Sequence, residues 1–310
     1  MTEQAILSQF IKAEALRLGF DFCGIAKAEP VDKETRTTMA QWIHEQRHGT
    51  MNYLERNSEK RLNPQLLVPG CKSIICVAIN YFTARPDENK LHISQYAQGM
   101  DYHKVVKEKL YALMHSINAK REIHGRAFCD TAPLLERYWA TRAGIGWIGK
   151  NHQLIIPGAG THFFLGEILV DIELQYDTPF KGNRCGDCRK CLDACPTKAL
   201  TAERFDARRC LSYLTIEYHG DLPENIGEKM GKCFYGCDKC QTCCPQNRFA
   251  SPTQVAEFTP SAALLAIKES EWKELTGERY KEIFGNSAVE RCGYEQLRRN
   301  INAIECKKQK

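Results

Sequence analysis

Two runs of cysteine restrict this chain more than any other feature. The first is Cys185-x-x-Cys188-x-x-Cys191-x-x-x-Cys195-Pro196, the full spacing, proline included, that holds cubane iron–sulfur clusters in bacterial proteins. Cysteines this close on a tight turn aim their thiolates at neighbouring corners of one cubane. The fourth, redirected by the proline, points away and serves a second cluster. The second run is Cys237-x-x-Cys240-x-x-x-Cys244-Pro245, with Cys210 upstream. Crossing the fourth ligands gives one set of Cys185, Cys188, Cys191 and Cys244, and another of Cys195, Cys210, Cys237 and Cys240. Cys243 also has ligand spacing after Cys240 and competes with Cys244, which the following proline favours; Cys233 competes with Cys210. Structural zinc in two Cys-x-x-Cys pairs is the bland alternative. It needs only four of these thiols and leaves the third cysteine and the prolines without a role. Cys23, Cys71, Cys76, Cys129, Cys292 and Cys306 read as buried small apolar residues or surface bystanders.

The 310 residues allow two domains, one with a substantial core. With 26% charged and 43% hydrophobic residues, the chain falls among ordinary globular proteins and not among disordered ones. Its opening, MTEQAILSQFIKAEALRLGF, mixes acids and amides into the apolar residues and lacks the basic start and apolar core of a signal peptide. No stretch reaches the roughly 20 apolar residues of a membrane span. The expectation is therefore a cytoplasmic protein without membrane contact, where cysteines serve metals or catalysis. The formal charge of +5 suggests nucleic acid, but two clusters with eight thiolates add about four negative charges. Net charge then decides nothing about a nucleic-acid partner.

Apolar spacing predicts an amphipathic helix over 4–18, with Ile6, Leu7, Phe10, Ile11 and Leu18 on one stripe. Strands are predicted at Phe22–Ala26, at 152–156 and 163–171, and at Ser73–Phe82, whose unbroken apolar run reads as a buried central strand. Helices are predicted over 33–47, over Tyr102–Arg121 with Asp101 as cap, and over 133–143, ended by Gly144. A strand end is expected at Ala127–Asp130. The predicted class is α/β or α+β. Three parts are expected: residues 1–175, a cysteine-dense domain at 176–254 in which metal replaces a core, and two or three short helices in 255–310.

Two motifs mislead. Gly144-Ile-Gly146-Trp-Ile-Gly149, with Asp171 downstream, spells the dinucleotide fingerprint. That motif needs a strand before it and a helix after it, and here the order is reversed. The glycines still imply close backbone approach, to a ligand or within a turn. Asp101-Tyr-His103-Lys-Val-Val106 resembles the start of a cobalamin-ligating Asp-x-His-x-x-Gly motif but has Val106 where glycine is required. It reads instead as a helix cap with an exposed histidine.

Segments along nearly the whole chain then fall into one pattern. They are Gln95-Tyr-Ala, Asp101-Tyr-His-Lys104, Cys129-Asp-Thr131, Arg142-Ala-Gly-Ile-Gly-Trp-Ile-Gly-Lys-Asn151 and Phe164-Leu-Gly-Glu167. Cys195-Pro-Thr-Lys-Ala-Leu200, Asp206 through Glu217, Tyr235-Gly-Cys-Asp-Lys-Cys240, Ser287-Ala-Val289 and Leu297-Arg-Arg-Asn300 continue it. In order and spacing the chain resembles the epoxyqueuosine reductase family, cobalamin-dependent enzymes of the last step of queuosine synthesis in tRNA. Many members carry a further C-terminal helical-repeat domain; this sequence ends at Lys310 without room for it, which puts tRNA contacts made by such a domain in doubt.

The resemblance implies a nitroreductase-like domain that holds cobalamin, then a two-cluster ferredoxin-like domain that feeds it electrons, then the C-terminal helices. It implies tRNA carrying epoxyqueuosine as substrate and a flavodoxin or ferredoxin as electron donor; the chain is expected to be a monomer. Asp130 matches the family's proton donor, and desolvation beside Cys129 and an apolar cofactor face is expected to raise its pKa toward neutrality. The alternative for an aspartate before threonine is a turn or helix cap. Tyr96, Asp130, Lys150, Asn151, Thr161, Ser212 and Thr215 are the candidate cobalamin contacts. Arg208, Arg209, Lys181, Arg184, Arg189 and Lys190 either meet tRNA phosphates or offset the charge of the clusters. Competing functions are a corrinoid reductive dehalogenase-like enzyme, a non-catalytic dicluster electron carrier, and a flavin reductase with a ferredoxin module.

Overall fold

The computed structural model of the chain describes residues 2–83, 87–202 and 204–305; Cys306 lies outside them. Its strands among these residues are β1 (Phe22–Lys27), β2 (Ser73–Asn80), β3 (His92–Ile93), β4 (Gly125–Phe128), β5 (Trp147–Ile148), β6 (Leu154–Ile155), β7 (Phe163–Val170) and β8 (Cys233–Tyr235).

Four of them form one sheet in the order β1-β2-β7-β4, every neighbouring pair antiparallel. β2 is central and buried at all of its positions, as its unbroken apolar run predicts. The pleat explains why no polar face is needed. Ile75, Val77 and Ile79 point into a core shared with Ile11, Val106 and Leu110 of the helices Glu3–Arg17 and Tyr102–Asn118. Ile74, Cys76 and Ala78 point the other way, against Trp139 and Ala140 of the helix Glu136–Arg142. Layers on both faces make this a mixed α+β fold.

A second core lies outside the sheet. Leu91, Ile93 and Ala97 pack there with Leu211, Leu214, Phe234 and Tyr235, and with Trp272, Phe284, Leu297 and Ile301 of the C-terminal segment. β3 pairs in parallel with β8 and so ties the chain before Tyr102 to the cysteine-rich stretch. The short helical C-terminus is present, but the described residues there hold four α-helices instead of two or three: Ala262–Ala266, Glu269–Lys273, Gly277–Phe284 and Tyr294–Glu305. The extra ones are single turns of five residues, started by local caps such as Ser261 and too short for a periodic signal. One further correction concerns Ile6, which is 56% exposed and stands off the buried stripe of the first helix.

The dinucleotide-like motif is a hairpin. β5 and β6 pair antiparallel, and a Cβ on Gly146 would stand 2.2 Å from the Ile155 carbonyl oxygen. The close approach that its glycines imply is thus to the chain's own backbone. No helix among the described residues is long and apolar enough to cross a membrane.

Candidate active site

β4 ends at Phe128, Cys129 is fully buried, and Asp130 then adopts φ +58°, which turns its side chain outward. That left-handed conformation is uncommon outside glycine and is tolerated by aspartate. The carboxyl is 48% exposed and is held from several sides. Tyr102 donates its hydroxyl to Oδ2 at 2.7 Å, and His103 Nε2 lies 3.2 Å from the same oxygen. The other ring nitrogen of His103 is 2.7 Å from Asp101 Oδ1. The peptide N–H of Asp130 donates to Glu136 Oε1 at 2.5 Å.

The helix that starts at Tyr102 therefore delivers three groups at once. Asp101 caps it by accepting the His103 N–H at 3.0 Å, as the sequence predicts. His103, however, is only 19% exposed and is clamped between two carboxyls, so the reading as an exposed histidine is corrected. Burial alone would lower its pKa, but the hydrogen bonds with Asp101 and Asp130 raise it to about 9. The pKa expected for Asp130 is also corrected. Desolvation pushes it up, yet hydrogen bonds from His103 and Tyr102 and the charges of His103 and Arg291 outweigh it and hold the carboxyl below its ordinary value. Arg291 comes from the C-terminal turn Ala288–Cys292 and pairs with Glu217 at 2.8 Å.

Aromatic rings pack behind the Asp130 carboxyl. Tyr102 lies flat on Phe164, with centroids 4.2 Å apart and planes 4° apart. Tyr96 packs edge-on to Tyr102 and shares a 3.3 Å hydrogen bond with Tyr235. Of the other candidate contacts, Lys150, Asn151, Thr161 and Thr215 have protein partners. Lys150 donates to the carbonyls of Gly186 and Cys188, Asn151 to that of Cys240. Thr161 is locked to Asn247 and Gln241. These three join the sheet region to the cysteine loops. Thr215 is fully buried, its hydroxyl donating to the Leu211 carbonyl and accepting from Gly236 N–H. Ser212 is half-buried on the same helical turn.

The first cysteine set lines one cavity, and the second is brought partly together. Cys185, Cys188, Cys191 and Cys244 line one cavity of about 50 Å³ with Lys150, Asn151 and Arg184. Four thiols around a cavity, from two loops, fit a cubane and its charge-offsetting cations. Cys243 lies beside this set and points its thiol at the Cys240 carbonyl, 3.7 Å away. In the other set, Cys195, Cys210 and Cys240 share one small apolar cluster, and Cys237 is close enough to Cys210 for their charges to interact. Burial would raise the Cys195 thiol, but N–H groups of neighbouring residues, Ala199 at 3.3 Å among them, bring it below the ordinary value. Such N–H···S bonds stabilise a thiolate. Cys233 is buried on β8 with its thiol against the Tyr235 carbonyl. Cys71, Cys76, Cys129 and Cys292 are buried as expected. Among the basic residues, Arg208 is held by both oxygens of Asp206, and Arg184 lies over the Phe180 ring.

Two family models match the chain: "Epoxyqueuosine reductase QueG, DUF1730" over residues 61–131, and "4Fe-4S double cluster binding domain" over residues 184–247. The epoxyqueuosine reductase of Leadbetterella byssophila is 42% identical over 300 residues, 96% of this chain and 98% of that relative. Among solved structures, an epoxyqueuosine reductase with an epoxyqueuosine-modified tRNA-Tyr stem loop superposes with TM-score 0.86 at 31% identity, over 96% of this chain and 80% of that one. The Bacillus subtilis epoxyqueuosine reductase, with an aspartate-bearing catalytic loop swung out of its active site, superposes at 0.83 and 31% identity, over 96% and 81%. Cysteine-rich loops, a carboxyl braced at the end of β4 and this agreement along almost the whole chain have one explanation, and the chain belongs to the epoxyqueuosine reductase family.

Proposed function

We propose that this protein reduces epoxyqueuosine to queuosine in tRNA, with cobalamin as the reacting cofactor and two [4Fe–4S] clusters as the electron relay. The observation that carries the reading is the Asp130 carboxyl, solvent-facing yet fixed by Tyr102 and His103, in a molecule whose other half matches a double-cluster binding domain over residues 184–247. Converting the epoxide to an alkene takes two electrons and two protons and releases water. Bound to the Tyr96–Tyr102–Asp130 face, cobalamin supplies a low-valent, strongly reducing metal centre, and the protein supplies orientation and protons. Asp130 rests ionised against the His103 imidazolium, whose proton would pass through the carboxyl to the epoxide oxygen as its C–O bond breaks.

The first cluster is assigned to Cys185, Cys188, Cys191 and Cys244, the second to Cys195, Cys210, Cys237 and Cys240. Residues 1–175 form the cobalamin part, 176–254 the relay and 255–310 the covering helices. The enzyme acts in the cytoplasm as a monomer, fed by a flavodoxin- or ferredoxin-type donor. The relative solved with a tRNA stem loop supports the substrate. The test is anaerobic turnover of tRNA carrying epoxyqueuosine by the reconstituted protein. Loss of one oxygen from that nucleoside is expected. No conversion by protein that holds both clusters and a corrinoid would refute the reading.

A further inference from the structure

Beneath Asp130 lies a pair of acids that the reaction above does not use. Glu167 sits in the middle of β7, level with Cys76 on β2 and Phe128 on β4. It is fully buried, and apart from the neighbouring Glu136 carboxyl its two oxygens meet no hydrogen-bonding group. An ionised carboxylate is not tolerated in such a place, and the group neutralises instead. The titratable groups that act on it are Glu136, from the helix packed against the sheet, and Asp130, from the end of β4. Cys76 of β2 and Cys129 face the same two glutamates. The cation that acts on Glu136 is Arg137, itself bound to the His152 carbonyl at 2.6 Å.

Glu136 links this buried acid to the active site, because its Oε1 accepts the Asp130 peptide N–H at 2.5 Å. That bond fixes a residue whose φ of +58° would otherwise relax. Burial first, and then the charge of Asp130, raise the Glu136 pKa to about 7. Glu167, raised further still, keeps its proton.

We propose that Glu136 and Glu167 hold one proton between them and act as the positioning pair for Asp130, the shared proton keeping Glu136 seated on the Asp130 peptide N–H. The pair touches no substrate; it acts through the loop. This rests on the reading of Asp130 as the acid. As pH falls through about 7 Glu136 takes up a second proton. It then loses the charge that strengthens its bond to the Asp130 N–H, and the loop loosens.

The test uses the full chain with its clusters and the variants Glu136→Gln, Glu136→Ala and Glu167→Gln. Amide hydrogen exchange over 129–134 is expected to quicken about tenfold in both Glu136 variants, the loss of one charge-assisted hydrogen bond. In the unaltered protein that exchange falls less steeply than its intrinsic rate as pH drops below about 7, and in Glu136→Gln this departure is absent. Infrared difference spectra are expected to show a protonated carboxyl at neutral pH that Glu167→Gln removes. With epoxyqueuosine tRNA, kcat falls about tenfold in Glu136→Gln while KM holds. Unchanged exchange in both Glu136 variants, or no protonated carboxyl at neutral pH, overturns the proposal. Should Glu167→Gln lose its cluster absorbance and fail to fold, the Glu136 variants and the unaltered protein's infrared and exchange profiles still decide it. If the unaltered protein does not convert epoxyqueuosine, the assigned reaction fails, while the exchange and infrared results judge the pair by themselves.

Discussion

At the scale of single residues, function depends on how one carboxyl is held. Asp130 is half-exposed, bonded by Tyr102 and His103, and bent into a left-handed turn. Replacing it with Asn keeps the shape but removes the carboxyl through which the proton passes. Turnover is expected to fall about 10²–10⁴-fold with cluster absorbance unchanged, the usual contribution of a general acid. Equal loss of iron and activity would mean a structural role. His103 gives a prediction in pH. Its folded pKa of about 9 lies above the ordinary 6.5, so the stability it contributes is complete below about 6.5 and disappears as pH rises through about 9. The thermal midpoint is therefore expected to decline across that window, and the decline to be shallower in His103→Gln. Identical slopes in the two proteins would contradict the clamp.

Much of this residue-scale picture was out of reach of the sequence. Asp130 is found through its resemblance to a family motif, but its low pKa is not, since Tyr102 and His103 are 28 and 27 positions away and meet it only in the fold. Asp101–His103 is legible as a cap and illegible as a clamp for the same reason. Glu136, Glu167 and Arg291 carry no local mark of their roles. Glu167 is the partial exception, because a lone acid in the apolar run Phe163–Val170 conflicts with burial and invites a question.

At the scale of elements, the sheet was the most legible part and the smallest strands the least. β2 announces itself because both of its faces are covered, whereas β3, β5 and β8 span two or three residues and offer no period to detect. The β5–β6 hairpin also shows how a fingerprint can be satisfied for an unrelated reason. Gly146→Ala would drive a Cβ into the Ile155 carbonyl. The variant is expected to lose about 2–4 kcal/mol of stability in chemical denaturation, as for other overpacked buried sites. A loss below about 0.5 kcal/mol would show that the hairpin gives way freely.

At the scale of the whole molecule, the clusters and the sheet are mechanically joined. Lys150, Asn151 and Thr161 run from the β5–β7 region into the loops that carry Cys188, Cys240 and Asn247. Among the described residues the loop of the first run has a small buried core, Leu192, Cys195, Ala199 and Leu200, so the clusters are expected to carry much of its stability. Cys191→Ala is expected to halve iron from about eight to about four per chain and to stop turnover, with the remaining cluster still reducible. Full iron content in that variant would hand its place to Cys243. The cysteine spacing made this organisation legible at the outset. The join was not, since nothing in a lysine or an asparagine marks which carbonyl it will reach.

The most direct measurement is anaerobic turnover of tRNA carrying epoxyqueuosine, with nucleosides weighed by mass after digestion. The protein reconstituted with both clusters and cobalamin is expected to remove one oxygen from that nucleoside, and Asp130→Ala, with the same iron content, to leave it intact. No conversion by the fully loaded protein, or undiminished conversion by Asp130→Ala, would contradict the assigned reaction in the first case and the assigned acid in the second.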